Sequence, residues 1–231
     1  MAGVAGHDPL DNAVWHALGG PLARFAEGHG RARRFLADVA PFAGMPDEMD
    51  RAAWDDLGRL VGPGEVTALF RAPLITPPGW ATVMRWPCRQ MTCARAPAVE
   101  PLAGVTVLGR DDRAAMLALT AATQPGPFLE RTHELGHYVG VHSEGRLVAM
   151  AGERLRLDGA TEISAVCTDP DHRRAGLAAG LVSVLVARIL ARHETPFLHV
   201  AEDNLGALRV YEALGFTTRA CIEAIALRAP A

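Results

Sequence analysis

The sequence contains no lysine, so all 23 basic residues are arginine, and 26 acidic residues give the 231-residue chain a formal net charge of −3. This arginine-only usage is typical of GC-rich bacterial genomes. The charge balance argues against broad electrostatic binding to nucleic acid or to an anionic membrane. No apolar run approaches the ~20 residues of a membrane span, and Met1 to Leu22 lack a signal-peptide pattern. We therefore expect a cytoplasmic protein with neither nucleic acid nor membrane as a partner.

Cysteine is also scarce, and the four cysteines do not form a disulfide framework. Cys88 and Cys93 lie close together and could form a disulfide or half of a zinc site, but no second pair accompanies them. Buried free thiols in a reducing compartment fit better. Cys167 lies in a strand-like segment, which favours a core or ligand-lining residue over a nucleophile.

With 49% hydrophobic and 21% charged residues, the composition is that of a globular protein of one large or two small domains. Residues 1–98 carry no chemical motif, and we interpret them as a smaller α/β region. The spacing predicts helices over 12–18 and 49–61 and strands over 35–40, 65–71 and 80–91. Ala94 to Leu102, with Pro97 and Pro101, predicts a linker into a second domain.

The second half of the chain predicts a β-meander followed by a β-α-β unit. We expect a strand over 105–108, a helix from Asp111 to Thr120 and a second helix that starts at Phe128. A hairpin over 138–142 and 146–157 turns at residues 143–145. A buried strand over 161–168 and a helix over 176–193 follow, and then a strand over 196–200 and a helix from Asn204 to Gly215.

Between the strand over 161–168 and its helix lies the pattern Arg173-x-x-Gly176-x-Ala178. Small residues let backbone N–H groups approach an anion closely, and the N-terminus of a helix adds the positive end of its dipole. Arg173 and Arg174 can neutralise further phosphate charge. The pattern indicates a diphosphate site, although by itself it is equally typical of a tight strand-to-helix turn.

With the downstream segment Asn204-x-x-Ala207-x-x-x-Tyr211-x-x-x-Gly215-Phe216, this pattern resembles the GNAT superfamily of acetyl-CoA-dependent N-acetyltransferases. The resemblance covers about residues 105–231. Ala178 stands where the family often has glycine. The resemblance implies an α/β (α+β) fold with a mixed central sheet, flanking helices and a splayed strand pair that holds acyl-CoA. The predicted organisation is an N-terminal region over 1–98, which could be a degenerate GNAT-like half, and a GNAT domain over 99–231.

The resemblance also implies an acetyl-CoA site. The diphosphate would bind backbone N–H groups at the start of the helix, the pantetheine arm would follow the buried strand, and an N–H near Val166 would face the thioester oxygen. The residues implied in this site are Val166, Cys167, Thr168, Arg173, Arg174, Ala175, Gly176, Leu177, Ala178, Ala179, Asn204 and Tyr211.

Two catalytic roles follow from the same resemblance. Glu162 would be the general base that deprotonates the acceptor amine through water, with Glu153 on the neighbouring strand as the second candidate. Glu162 could instead lie in solvent or bind a cationic substrate. Tyr211 would donate a proton to the CoA thiolate, or would be a packing residue whose hydroxyl bonds the sulfur. Phe128, Arg131 and Glu153 are candidate acceptor-lining residues.

One motif points elsewhere, because His133, Glu134 and His137 match the H-E-x-x-H zinc-protease pattern. That pattern needs both histidines on one face of an uninterrupted helix, and the segment after His137 predicts a strand. We therefore expect a helix end and no metal cofactor, with a metalloprotease as the lesser alternative.

A non-catalytic acyl-CoA-binding module is a further alternative to an N-acetyltransferase that acts on a small-molecule or peptide amine. Exposed sheet edges would also allow a homodimer.

Overall fold

The computed structural model describes residues 8–72, 74–99 and 102–231. The described residues form five α-helices, which are α1 (Ala13–Gly19), α2 (Arg51–Val61), α3 (Arg113–Thr123), α4 (Leu177–Ala191) and α5 (Leu205–Ala213). Short 3₁₀ turns include Thr132–Leu135 and Pro170–His172. None of these helices combines the length and apolar character needed to cross a membrane.

Eleven strands form two sheets in the described part of the chain. The strands are β1 (Ala26–His29), β2 (Ala32–Phe35), β3 (Ala43–Gly44), β4 (Val66–Arg71), β5 (Ala81–Thr92), β6 (Val105–Leu108), β7 (Tyr138–Ser143), β8 (Arg146–Leu157), β9 (Ala160–Thr168), β10 (Thr195–Ala201) and β11 (Thr217–Arg228). The small sheet has the order β1-β2-β3. The large sheet has the order β4-β11-β5-β10-β9-β8-β7-β6, and its β9–β10 pair is parallel whereas the other neighbours are antiparallel.

Around β10 the large sheet is covered on both faces, whereas residues 81–87 of β5 are exposed. Leu198 and Val200 of β10 belong to a core cluster with the buried sides of α4 and α5. Phe197 of the same strand belongs to a cluster with α1 and its surroundings. Because successive residues of a strand point to opposite faces, α4 and α5 lie on one face and the N-terminal segment lies on the other. The β9–β10 junction is therefore enclosed from two sides.

Most of the predicted elements are present, but two predictions are wrong. The helix predicted to start at Phe128 is irregular chain that leads into the 3₁₀ turn Thr132–Leu135. The Thr132 hydroxyl accepts a hydrogen bond from Leu129 N at 2.7 Å, and this local bond competes with helix formation. No strand spans residues 35–40. The strand in this region is β2, which ends at Phe35, and the chain then turns, with Val39 N donating a hydrogen bond to Leu36 O at 2.9 Å.

The large sheet includes strands from both sides of the predicted boundary at residues 98–99. β5 lies between β10 and β11, and β4 lies at the edge beside β11. Met91 and Cys93 belong to the core cluster of α4 and α5. The boundary stays a prediction, but the sheet runs across it. Residues 1–7 and Pro73 of the predicted N-terminal region, and Glu100 and Pro101 of the predicted linker, lie outside the described residues.

Candidate active site

The β9 and β10 strands pair at their beginnings and then part. Three register positions join them in parallel, and the last is Phe197 opposite Glu162. Beyond this position β9 continues to Thr168 and β10 to Ala201, without further described pairs between them. The two strands therefore form an open V whose unpaired backbone groups are available to a ligand that adds itself as a strand.

A β-bulge distorts β9 inside this V. Gly152 pairs with Ser164, and Met150 pairs with Cys167, so that two residues of β9 lie opposite one residue of β8. The bulged residue Ala165 has a φ of 53°, a left-handed conformation that costs a residue with a Cβ roughly 1–2 kcal/mol. Strain of this kind is concentrated at functional sites, and here it lies next to Val166.

The turn from β9 into α4 leaves a set of backbone donors unpaired. Gly176, the N-cap of α4, has a φ of 76°, and Arg174 has a φ of 64°. No side chain caps the helix, and within residues 8–72, 74–99 and 102–231 the backbone N–H groups of residues 174–179 have no intramolecular acceptor. Free N–H groups at a left-handed turn and a helix N-terminus form an anion-binding concavity.

A cavity of about 500 Å³ joins this turn to the open side of the V. Its lining is drawn from α3, β9, the turn before α4, and α5. The lining residues are Thr123, Gln124, Pro125, Val166, Cys167, Thr168, His172, Arg173, Arg174, Gly176, Leu177, Ala178, Ala179, Asn204, Gly206, Ala207, Val210 and Tyr211. The Thr168 hydroxyl is buried without a hydrogen-bond partner in the described part of the chain, so a bound ligand could satisfy it.

The cavity brings together nearly all of the residues predicted to hold the cofactor. Of that set only Ala175 is absent from the described lining, and it is exposed. The sequence did not indicate the wall formed by Thr123, Gln124 and Pro125 at the end of α3. The signal in that segment is the Gln124-Pro125-Gly126 turn, which by itself indicates only a connection between two elements.

Tyr211 reaches the cavity from α5. Its ring is buried beside Phe216, with 5.9 Å between the ring centroids, and burial raises the pKa of its hydroxyl to about 12. The hydroxyl has no hydrogen-bond partner within the described residues. Asn204 starts α5, and its Oδ1 accepts a hydrogen bond from Ala207 N at 3.1 Å. This cap positions the turn of α5 that lines the cavity.

Cys167 also lines the cavity, but its chemistry is not that of a nucleophile. The thiol is buried, and burial raises its pKa to about 11. The reactive form of a cysteine is the thiolate, which such a pKa leaves almost unpopulated at neutral pH. The structure therefore favours the ligand-lining role.

The structure does not place Glu162 in the cavity. Its side chain is 0% exposed and accepts two hydrogen bonds from the Arg154 guanidinium, at 2.8 Å and 2.6 Å. His199 Nδ1 donates a third at 2.7 Å. Burial raises the pKa of Glu162, but the Arg154 charge and these hydrogen bonds outweigh burial and lower the pKa to about 2. This geometry argues against the predicted role of Glu162 as general base.

The three predicted acceptor-lining residues are engaged elsewhere. Arg131 donates hydrogen bonds to Glu134 and Asp38, and Glu153 is buried against Arg192 at 2.9 Å. Phe128 packs edge-on to Tyr138, with 5.7 Å between the ring centroids. None of these three side chains is part of the described cavity lining.

The H-E-x-x-H segment does not form the helix that a zinc site needs. The 3₁₀ turn ends at Leu135, so His133 and His137 are not on one helical face, and β7 begins at Tyr138. Glu134 is held by Arg131, at 2.9 Å. Among the described residues no group of three metal-ligating side chains is brought together. The metalloprotease interpretation therefore lacks its required geometry.

An open V of parallel strands, a bulge beside it and a free helix N-terminus fit the acyltransferase fold that the GNAT resemblance implies. Comparison with known proteins agrees. The FR47-like protein family matches residues 138–224. The crystal structure of a GNAT-family acetyltransferase from Novosphingobium aromaticivorans DSM 12444 is 36% identical, with a TM-score of 0.88 over 97% of this chain and 100% of that one. The chain therefore belongs to the GNAT family of N-acetyltransferases.

Two curated relatives match parts of the chain. Mycothiol acetyltransferase of Mycobacterium marinum is 31% identical over 115 residues, which is 46% of this chain and 36% of the relative. The [ribosomal protein bS18]-alanine N-acetyltransferase of Escherichia coli K12 is 36% identical over 73 residues, which is 31% of this chain and 49% of the relative. The matches thus span about half or less of these relatives' length.

Proposed function

We propose that this protein transfers the acetyl group of acetyl-CoA to a primary amine of a small molecule or peptide, by direct attack of the amine in a ternary complex. The observation that carries this proposal is the run of unpaired N–H groups at residues 174–179 beside the opening between β9 and β10. The names of the curated relatives, both acetyltransferases, support the same donor chemistry.

The cavity supplies what a CoA thioester needs. The diphosphate of CoA would accept hydrogen bonds from the turn before α4, where Arg173 and Arg174 are exposed and add positive charge. The pantetheine arm would lie along the unpaired side of Val166, Cys167 and Thr168 and bond their backbone as an added strand does. The buried Thr168 hydroxyl would gain its missing partner.

At the reacting centre, the chain supplies a hydrogen-bond donor and an acid. The Val166 N–H would face the thioester oxygen as negative charge develops there, and one such donor typically contributes ~3–4 kcal/mol to lowering the barrier. Tyr211 would donate its proton to the departing sulfur. Because burial raises its pKa to about 12, its hydroxyl keeps its proton throughout the neutral range, so a proton is present to be transferred.

A thiol-release assay tests this function. The protein is incubated with acetyl-CoA and a panel of small amines and peptides, and released CoA is measured together with the mass of the acceptor. We expect amine-dependent release and an acceptor heavier by one acetyl group. Tight binding of CoA without amine-dependent release from any acceptor would instead favour the non-catalytic acyl-CoA-binding module.

A further inference from the structure

The carboxylate of Glu162 is a member of a closed hydrogen-bond network. Its oxygens accept from Arg154 and His199, whose side chains are 8% and 3% exposed. The Arg154 guanidinium also lies over the rings of Phe42 and Phe70, at 4.9 Å and 5.5 Å from their centroids. An ion pair enclosed in this way is strongly destabilised when one partner loses its charge. A reaction that protonates Glu162 in every cycle would break the network each time.

The hydrogen bonds beyond Glu162 also determine which ring nitrogen of His199 carries the proton. Gln90 Nε2 donates to Leu10 O at 2.8 Å and lies 3.1 Å from His199 Nε2, while Gln90 Oε1 accepts from Arg219 at 2.7 Å. With the Gln90 amide oriented by these bonds, His199 Nε2 must accept a hydrogen bond and Nδ1 must carry the ring proton. The lone pair of the imidazole is therefore occupied. His199 is also enclosed by Phe70, stacked with 4.9 Å between centroids.

The other charged and titratable groups near this network do not offer a base. Tyr138 is fully buried, and burial raises the pKa of its hydroxyl. Beside Thr161, the neighbour of Glu162, the Glu194 carboxylate is itself held by Arg192 and Arg156. The Cys88 thiol near Arg154 is buried, which raises its pKa, and Glu153 is paired with Arg192 at 2.9 Å.

The titratable side chains of the cavity lining are protonated or remote from the reacting centre. Cys167 and Tyr211 have pKa values raised to about 11 and about 12 by burial. Arg173 and Arg174 lie at the turn before α4, where the diphosphate would bind. His172 lies in the 3₁₀ turn before the diphosphate-binding residues, with Nδ1 3.6 Å from Asp169 Oδ1.

We propose, on the basis of the function proposed above, that Glu162 stabilises the β9–β10 junction rather than acting as the base, and that the acceptor enters the site already unprotonated. At neutral pH this selects weakly basic amines, above all the α-amino groups of peptides or amino-acid derivatives. An α-amine with a pKa near 8 is roughly 10% unprotonated at pH 7, whereas a lysine side chain with a pKa near 10.4 is only about 0.04% unprotonated.

The transfer step balances without a carboxylate base. The amine lone pair forms a bond to the thioester carbon, and the carbon–sulfur bond breaks. The sulfur takes the proton of the Tyr211 hydroxyl. The proton that the new amide nitrogen sheds restores Tyr211 through water, so the products are the amide and the free CoA thiol.

Two peptides on one scaffold test this inference. One is lysine-free with a free N-terminus, and the other has a blocked N-terminus and a single lysine. Their kcat/KM values are measured between pH 6 and pH 10 by thiol release. We expect the α-amine peptide to be at least about tenfold better at pH 7. We also expect kcat/KM to rise with pH until it levels off near each acceptor's own pKa, about 8 for the first peptide and above 10 for the second.

A plateau at the same pH for both peptides would reveal a titrating group of the enzyme and would overturn the inference, as would preference for the lysine peptide at pH 7. These outcomes leave the acetyltransferase function intact. A different result would contradict the acetyltransferase function itself: calorimetry shows no binding of CoA, and no amine releases thiol.

Two variants test directly whether Glu162 acts as the base. Glu162→Gln leaves Arg154 unpaired and threatens folding as well as catalysis. The double variant Arg154→Met/Glu162→Met is therefore compared with it, because an apolar pair restores packing without a base. Retention of transfer by the double variant, with the pH of the plateau unmoved, supports a structural role for Glu162 and excludes it as the base. A folded double variant whose kcat has fallen by about 10²-fold or more, as loss of a general base requires, contradicts it.

Discussion

Glu162 and Phe197 face each other at the last paired position of β9 and β10, and the two strands separate directly beyond them. The two side chains lie on the face covered by the N-terminal segment, where Phe197 packs with α1 and Glu162 binds Arg154 and His199. Before this position β9 and β10 are paired with each other. After it their facing backbone groups are free to bind a ligand. The buried network therefore lies at the closed end of the opening between β9 and β10.

Replacing Gly176 with valine should weaken binding of CoA. Valine strongly disfavours the left-handed φ of 76°, so the turn must change and its N–H groups must move. We expect the CoA dissociation constant, measured by calorimetry, to rise about tenfold or more, as the loss of one or two charge-assisted hydrogen bonds implies.

Gly145→Val is the matched control for this substitution. Gly145 has a φ of 77° and, like Gly176, has open space where a Cβ would lie, but it belongs to the β7–β8 turn. Both variants should lose roughly 1–2 kcal/mol of stability. Equal loss of CoA affinity in the two variants would contradict the assignment of the site.

Tyr211→Phe should lower kcat by about 10²-fold while changing the KM for acetyl-CoA little, because the ring stays in place and only the acid is lost. Its melting temperature should match that of the unmodified protein. Since the pKa of Tyr211 is raised to about 12, its ionisation should not produce an alkaline fall in kcat below about pH 11. A parallel loss of kcat and cofactor affinity would assign Tyr211 a packing role instead.

The Arg154–Glu162 pair should make folding stability depend on pH in the acid range. The pKa of Glu162 is lowered from its ordinary value of 4.5 to about 2, so its ionised form stabilises the fold. That contribution, about 3 kcal/mol, is fully present above pH 4.5 and is lost as the pH falls toward 2. Urea denaturation at pH 6 and pH 3 should show the difference.

Glu162→Gln should lower the free energy of unfolding by about 3–5 kcal/mol at pH 6, and it should remove most of the dependence of stability on pH. Glu130→Gln is the control, since Glu130 pairs with Arg113 at 2.8 Å but both side chains are exposed. That change should cost less than about 1 kcal/mol. Similar losses in the free energy of unfolding for the two substitutions would show that the buried Arg154–Glu162 pair stabilises the fold no more than the exposed Arg113–Glu130 pair.

Most of the cavity lining could be predicted from the sequence because it comes from two short local segments, whereas the wall at residues 123–125, which lies far from both along the chain, could not. The turn from β9 into α4 and the first two turns of α5 are local structures, and their glycine and cap positions are visible in the sequence. The environment of Glu162 could not be predicted, because its partners come from β8 and β10, and Gln90 and Leu10 come from the N-terminal region. Long-range strand pairing decides which side chains meet, as it does where β5 enters the sheet between β10 and β11.

The segment around His133 and His137 should bind no stoichiometric zinc. We expect elemental analysis of protein purified without chelators to give well under one zinc per chain. The double variant His133→Ala/His137→Ala should keep its affinity for CoA, since neither residue lines the cavity. One zinc per chain that disappears in the double variant would revive the metalloprotease interpretation.

A crystal structure of the protein with bound CoA will show whether the diphosphate lies at the turn before α4. We expect one CoA per chain, with diphosphate oxygens about 2.7–3.2 Å from backbone nitrogens among residues 174–179 and the thiol end directed into the opening between β9 and β10. A diphosphate bound away from that turn, with those N–H groups left to water, would contradict the account.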